Sequence, residues 1–339
     1  MTIRYEVRSA ALTGLPTEVM RLGGDLDALL AGVGLSRAEL EDGDCLIRIE
    51  QLVRLLAEGA DQLHCPDLGL RLAHHHGVEM LGLLGRLLVR EPDLHTAFLA
   101  VQRYLALHNK AEHWRLLALE GRVKVQRIEH FFAEEGAQQY REMAIADCAR
   151  LVRAMGGTDL RPLRIEFSHS PVAPLSAYRQ HLGCEVRFDQ ETDCLVYDAE
   201  ILTRPVLSIS NDRSVWLDDY LRALLDGLQD DLELQVRSLV VQTIGLREHS
   251  LGHIAELLGL QARTLQRRLQ AQGLTFRQLV HQVKMDTAGW HVQASSMPLT
   301  LLADVLGYTE QAAFSKAFRN HFGESPSAWR RLHRGGAAG

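Results

Sequence analysis

Three consecutive histidines, His74-His75-His76, are the first residues that draw a metal reading. Consecutive residues on a helix point about 100° apart, so three in a row cannot converge on one ion. A helix end or the surface is their expected place. Five cysteines, Cys45, Cys65, Cys148, Cys184 and Cys194, are odd in number and scattered, with no C-x-x-C pair. They predict reduced thiols rather than a disulfide framework or a zinc site. His108, His113 and Trp114 lie where a helical stretch gives way to strands, a candidate pocket edge for a small effector, with plain packing the competing reading for Trp114. No G-x-S-x-G elbow, Walker A or H-E-x-x-H motif occurs. No catalytic residue, metal or cofactor is therefore expected.

The elements around these residues fall into two textures. Residues 16–110 read mostly as helix, with Leu26, Leu29, Leu30 and Val33, and then Leu52, Leu55, Leu56 and Leu63, at helical spacing. Pro66 and Pro92 punctuate the run, and the stretch 79–89 is apolar nearly all round and should be buried. From Trp114 two strands turn at Glu120-Gly121, with Val123, Val125 and Ile128 marking one face. A helix over about 135–155 follows, then a strand at 163–168 and a short helix over 175–182. Two more strands, at Val186-Arg-Phe and Cys194–Tyr197, are joined by a polar turn over 189–193. The apolar stripe of Trp216, Tyr220, Leu221, Leu224, Leu225 and Leu228 predicts a connecting helix, closed by Gln229-Asp230-Asp231.

The remainder contains a repeat. Ile254-Ala255-x-x-Leu258-Gly259-Leu260 returns 48 residues later as Leu302-Ala303-x-x-Leu306-Gly307-Tyr308. After each glycine comes a second segment, Thr264-Leu265-x-x-Arg268-Leu269 and Ala313-Phe314-x-x-Ala317-Phe318. This is what a helix-turn-helix requires: a small residue where the helices cross, a turn residue tolerant of positive φ, and apolar residues closing a shared core. The exposed face of each second helix is left for a DNA major groove. Gln278 to about Ala294 reads as the helix between the copies, ~25 Å long, which could hold them about one DNA turn apart. Gly273 and Gly323 end the second helices, and Ser325-Pro326 opens a closing one.

Charge agrees. The whole chain carries −6, but from Leu232 onward 12 Lys and Arg stand against 7 Asp and Glu. That segment is +5 and residues 1–231 are −11, a local footprint for phosphate. Hydrophobic residues are 46% and charged residues 24%, an ordinary soluble composition. No apolar run reaches membrane-helix length, and the first residues lack a signal-peptide stretch, so a cytoplasmic protein is expected.

Residues from about Val236 to Arg334 resemble the DNA-binding domain of the AraC/XylS family of transcription regulators. The resemblance rests on Ile254-Ala-Glu-Leu-Leu-Gly-Leu, Arg263-Thr-Leu-Gln-Arg-Arg-Leu, Leu306–Arg319 and Phe322-Gly-Glu-Ser-Pro-Ser-Ala-Trp-Arg. Residues 20–206 are similar to the family's arabinose-binding-type effector domain, through Val186-x-Phe, Leu195-x-Tyr and Leu202-x-x-Pro205. The resemblance implies an α+β N-terminal domain, many helices with a small sheet, over 1–206. A connecting helix and linker would span 207–231, and an all-α domain of two helix-turn-helix units joined by a linker helix 232–339. It implies groove-facing roles for Arg263, Gln266 and Arg267 in the first unit and Gln311, Ser315 and Lys316 in the second. Arg suits guanine O6 and N7, Gln adenine N6 and N7. It also implies that Phe314, Phe318 and Trp329 are core.

Two departures stand out: Lys284 and Ala288 occupy the places where the family's linker helix usually carries an Arg and, four positions on, a small residue, and Gly289 falls mid-helix, which softens it by ~1 kcal/mol against Ala. Ala312 stands where relatives often carry a polar base reader. Double-stranded DNA, a small-molecule effector and a second copy of the chain are the expected partners, with RNA polymerase added for an activator. Two alternatives compete: an N-terminal domain that only dimerises, and a repair or transferase domain using Cys45, Cys148 or Cys184.

Overall fold

The computed structural model describes residues 5–105, 108–130, 136–207, 232–243, 250–294 and 298–334. They fall into two compact units, one from Tyr5 to Glu129 and from 136 to 207, the other from Leu232 onward with His130. The stripe from Trp216 to Leu228 and the boundary at 229–231 lie outside the described residues.

In the first unit, short helices α1 (Leu15–Arg21), α2 (Leu26–Gly32), α3 (Arg37–Asp42), α4 (Ile49–Gln62), α5 (Leu68–Leu72), α6 (Leu83–Leu88) and α7 (Leu94–Tyr104) precede the main sheet. Capping explains several starts. Asp25 caps α2 through the Ala28 N–H, Ser36 and Glu39 close a reciprocal box on α3, and Asp93, just after Pro92, caps α7 through the Thr96 N–H. Leu26, Leu29, Leu30, Leu52, Leu55 and Leu56 are buried, as their spacing requires. The reading of 16–110 as helix misses one element: strand β2 (Leu46–Arg48) pairs antiparallel with β1 (Glu6–Arg8). A three-residue strand is too short for alternation to declare it.

The main sheet orders its five strands Glu112–Leu119, Arg122–Glu129, Cys194–Asp198, Arg164–Glu166 and Glu185–Arg187. Strands β3 (Glu112–Leu119) and β4 (Arg122–Glu129) form the expected hairpin, turning at Gly121 with φ +67°. Helix α8 (Gln138–Gly156) follows, then β5 (Arg164–Glu166), α9 (Leu175–Leu182), β6 (Glu185–Arg187) and β7 (Cys194–Asp198). The strands β6 and β7 flank the polar turn but do not pair. β5 lies between them, parallel to β6 and antiparallel to β7.

One face of the hairpin differs from its reading. Paired residues share a face, so Trp114, Leu116 and Ala118 lie with Arg127, Val125 and Val123. On that face the buried position after Val123 and Val125 is Arg127, 3% exposed; Ile128 points the other way, paired with His113 and half-buried. Strict alternation of a strand puts Arg127 in the apolar row despite its charge.

The second unit is helical: α10 (Leu232–Thr243), α11 (Leu251–Leu257), α12 (Ala262–Ala271), α13 (Phe276–Ala294), α14 (Leu299–Val305), α15 (Gln311–Phe322) and α16 (Pro326–Arg334). A single buried cluster runs through it, from Val236 and Ile254 through Leu265, Leu269, Val283 and Val292 to Leu302, Phe314 and Phe318, with Trp329 packed at its edge. Among the described residues no helix is long and apolar enough to cross a membrane.

Candidate nucleic-acid interface and buried cavity

The repeat becomes two turns of the same hydrogen-bond pattern. Gly259 and Gly307 sit at φ +66° and +73°, the left-handed region that an L side chain resists. In the first turn the Leu260 N–H donates to the Ala255 carbonyl at 2.8 Å and the Gly259 N–H to Glu256 at 2.9 Å. In the second the Tyr308 N–H donates to Ala303 at 2.9 Å and the Gly307 N–H to Asp304 at 2.8 Å. Ala255 and Ala303 are fully buried where the helices cross.

Each second helix buries one stripe and exposes another. In α12, Leu265 and Leu269 are buried while Arg263, Gln266 and Arg267, at i, i+3 and i+4, are exposed. In α15, Phe314 and Phe318 are buried, Gln311 and Lys316 exposed, and Ser315 half-exposed. The side chains named for the groove thus lie on the solvent faces of the two helices. Among the described residues Arg263, Arg267, Arg268 and Lys316 enter no ion pair. Neither α12 nor α15 has a side-chain cap at its N-terminus, leaving the first backbone N–H groups open. Arg330 is engaged: it donates to the Val292 carbonyl at 3.3 Å, near the end of α13.

The joining helix α13 spans 19 residues and starts two earlier than Gln278. Thr275 and Gln278 form a capping box there, with the Thr275 N–H 3.0 Å from Gln278 Oε1 and the Gln278 N–H 3.3 Å from Thr275 Oγ1. Arg237 of α10 bonds Glu233 at 2.8 Å and lies 3.7 Å from Asp286 of α13. The Lys284 ammonium lies 5.3 Å from the Tyr308 ring centroid, and burial lowers its pKa. Gly289 does not interrupt the helix: a Cβ there would come 2.8 Å from the Phe322 ring. Close approach gives this glycine a packing reason.

The first unit holds a cavity of about 90 Å³. Its walls are Val7, Met80, Leu81, Leu84, Leu88, Phe98 and Val101 on one side and Met143, Ala144, Val152 and Met155 of α8 on the other. His108 and Trp114 line it; His113 does not. The polar end comprises His108, Asn109, Glu112, Tyr140 and Asp147. Most of these groups are already bonded. Tyr140 donates to Glu112 at 2.9 Å, Asn109 to Tyr140 at 2.9 Å, and Trp114 Nε1 to Glu112 at 3.2 Å. Behind them Arg127 pairs with Glu112, Glu129 and Asp193, and Arg141 bonds Glu129 at 2.8 Å. Burial alone would lower the Arg127 pKa; the Glu112 and Glu129 charges raise it instead. Burial and the Arg8 charge push His108 down to about 3, so it is neutral. Sequence reasoning missed Arg127, Glu112 and Tyr140; the signal lay in the even spacing of Val123, Val125 and Arg127.

The three histidines diverge. His74 Nε2 lies 2.8 Å from His181, His75 meets Glu18 at 3.0 Å, and His76 bonds Asp147 at 2.9 Å and the Thr13 carbonyl at 3.1 Å. His76, at the C-cap of a short 3-10 helix over Ala73–His75, is 4% exposed, so it is a buried tie at a helix end rather than a surface group. Burial would lower its pKa, but Asp147 raises it. Burial raises the thiols of Cys45, Cys148 and Cys184, that of Cys184 to about 11, away from the thiolate an alkyl acceptor uses.

Comparison with known proteins places both units. Residues 23–206 match the arabinose-binding domain of AraC transcription regulators, N-terminal, and residues 254–332 match a helix-turn-helix domain. The chain is 29% identical to the HTH-type transcriptional regulator VirS of Mycobacterium tuberculosis over 336 residues, 98% of each chain. It is 26% identical over 268 residues, 78% of each chain, to the ornithine utilization regulator of Pseudomonas aeruginosa. The crystal structure of the transcriptional regulator CdpR from Pseudomonas aeruginosa aligns over 93% of this chain and 98% of its own, at 17% identity and a TM-score of 0.44. With more than half its length matched by the first of these domains and the second unit built as a paired helix-turn-helix, the chain belongs to the AraC family of DNA-binding transcription regulators.

Proposed function

We propose that this regulator reads a bipartite operator and that a small effector bound in the N-terminal cavity controls it. In this reading Arg263, Gln266 and Arg267 contact base edges in one major-groove segment, and Gln311, Ser315 and Lys316 in another about one helical turn away. Arg268 serves a phosphate. The observation that carries the reading is the pair of exposed faces on α12 and α15, basic and amide-bearing opposite a buried apolar stripe, with no ion-pair partner for their charge among the described residues. Two copies of the chain, acting in the cytoplasm, would bind together, and RNA polymerase would be the further partner of an activator. The domain boundaries at about 206 and 232 belong to the same proposal.

Selection of random-sequence duplexes by the full chain, followed by footprinting, tests it. Enrichment of two half-sites ~34 Å apart on one face of the duplex is the expected result. Binding without sequence enrichment, or an enriched single half-site insensitive to Lys316→Ala, would overturn the two-unit reading.

A further inference from the structure

We infer that the N-terminal cavity takes a compact, neutral, mainly apolar molecule offering one hydrogen-bonding group to His108, and not a sugar. This rests on the proposal that the cavity is the effector site, and it specifies the ligand class.

Three observations converge. The first is the wall. Apart from its one polar end the lining is Leu, Val, Ala, Phe and Met with Trp114 and Cys148, and among the described residues it contains no Lys or Arg. An anion would meet the Glu112 and Asp147 carboxylates without a facing cation. A cation fares no better, because those carboxylates are already committed, Glu112 to Arg127 and Asp147 to His76. Leaving a charge uncompensated in such a place is expensive.

The second is the hydrogen-bond inventory. Asn109 accepts from the Ala111 N–H at 2.8 Å and donates to Tyr140; Glu112 accepts from Tyr140, Trp114 and Arg127; Asp147 accepts from His76. Against these, His108 Nδ1 is buried with no hydrogen-bond partner among the described residues, on a residue 6% exposed that lines the cavity. A sugar carries several hydroxyls, each needing a partner, and most would be buried unsatisfied. A molecule with one hydroxyl matches the single open position. A neutral imidazole can donate or accept there, whichever the ligand requires.

The third is size. The cavity, about 90 Å³, is smaller than the ~150 Å³ cavity that admits benzene and well below the ~300–1,000 Å³ of ordinary ligand pockets. A single ring is therefore the practical upper limit, reached by movement of Met80, Met143 and Met155, whose unbranched side chains adapt readily.

The full-length chain tests this by calorimetric titration and thermal unfolding with phenol, toluene, benzoate, benzylamine and L-arabinose. Phenol should bind and raise the unfolding temperature, toluene should bind more weakly, and the other three should leave the transition unmoved. His108→Phe should weaken phenol on the order of tenfold and leave toluene unchanged. If that variant does not fold, histidine ¹⁵N resonances of the unmodified chain give the same answer, because phenol should shift one Nδ1 signal that toluene does not. Binding of arabinose, benzoate or benzylamine, absence of phenol binding, or an unmoved Nδ1 signal overturns the ligand class. Operator binding, read in parallel, tests the effector role separately. A chain that binds phenol without any change at its operator keeps the ligand class and loses the effector role. A chain whose operator binding answers to arabinose keeps the role and loses the class.

Discussion

Arg127 and Glu112 form a buried ion pair diagonally across the β3–β4 hairpin, their side chains 0% and 6% exposed, with the guanidinium carbon 4.8 Å from the Tyr140 ring centroid. The pair ties the hairpin to α8 and backs the polar end of the cavity. Arg127→Met preserves bulk but strands Glu112 and part of the Glu129 and Asp193 charge. The expected loss is ~3–5 kcal/mol, seen as a lower denaturant midpoint. A loss below ~1 kcal/mol would mean that water replaces the guanidinium at no penalty.

Glu142 predicts a pH effect of opposite sign to an ordinary salt-bridged acid. It is fully buried on α8, accepts the Tyr178 hydroxyl at 2.5 Å, and burial raises its pKa to about 8. Between ~4.3, the ordinary glutamate value, and about 8 the folded chain keeps a proton that the unfolded chain releases. Stability from this group is therefore greatest at the acid end of that interval and declines as pH rises through it. Glu142→Gln, which cannot ionise, should match the parent near pH 5 and exceed it near pH 8. Parallel stability–pH curves for the two proteins would contradict this.

Gly289 makes a prediction in which helix propensity and packing disagree. Propensity favours Gly289→Ala by ~1 kcal/mol. The new Cβ would come 2.8 Å from the Phe322 ring, inside the α13–α15 packing. Packing should win, with a net loss of ~1–3 kcal/mol and a lower unfolding temperature. Pairing it with Phe322→Leu should recover part of the loss; a stabilised single variant would show that the ring yields freely.

Arg267 separates base reading from phosphate contact. Under the proposed operator reading, Arg267→Ala should relax preference at one base position and weaken the selected site by ~1–3 kcal/mol, with little change on random duplex. An equal loss on every sequence assigns Arg267 to the backbone, and the salt slope should then fall by ~1.

The paired helix-turn-helix was legible because each of its requirements is local. A small residue at the crossing, a left-handed turn and a stripe of apolar residues all lie within about 20 positions, and a repeat at offset 48 states them twice. The exposed faces of α12 and α15 follow from the same 3.6-residue period that buries Leu265, Leu269, Phe314 and Phe318. What remained hidden depends on residues distant in the chain. Nothing near Arg127 announces that Glu112, Tyr140 and Asp193 will neutralise it, so its charge argues against the core position that alternation assigns. His76 is equally opaque until Asp147 and Thr13, 71 and 63 residues away, come within hydrogen-bond reach. Gly289 looks like a weak link until Phe322 arrives beside it. The amino-acid sequence by itself determined the periodic elements, the turns and the basic face, because short-range sterics and burial patterns set them. Tertiary structure alone decided the cavity, the open hydrogen-bond position at His108 and the buried charges behind it, because desolvation and pairing energies exist only once distant side chains share one interior.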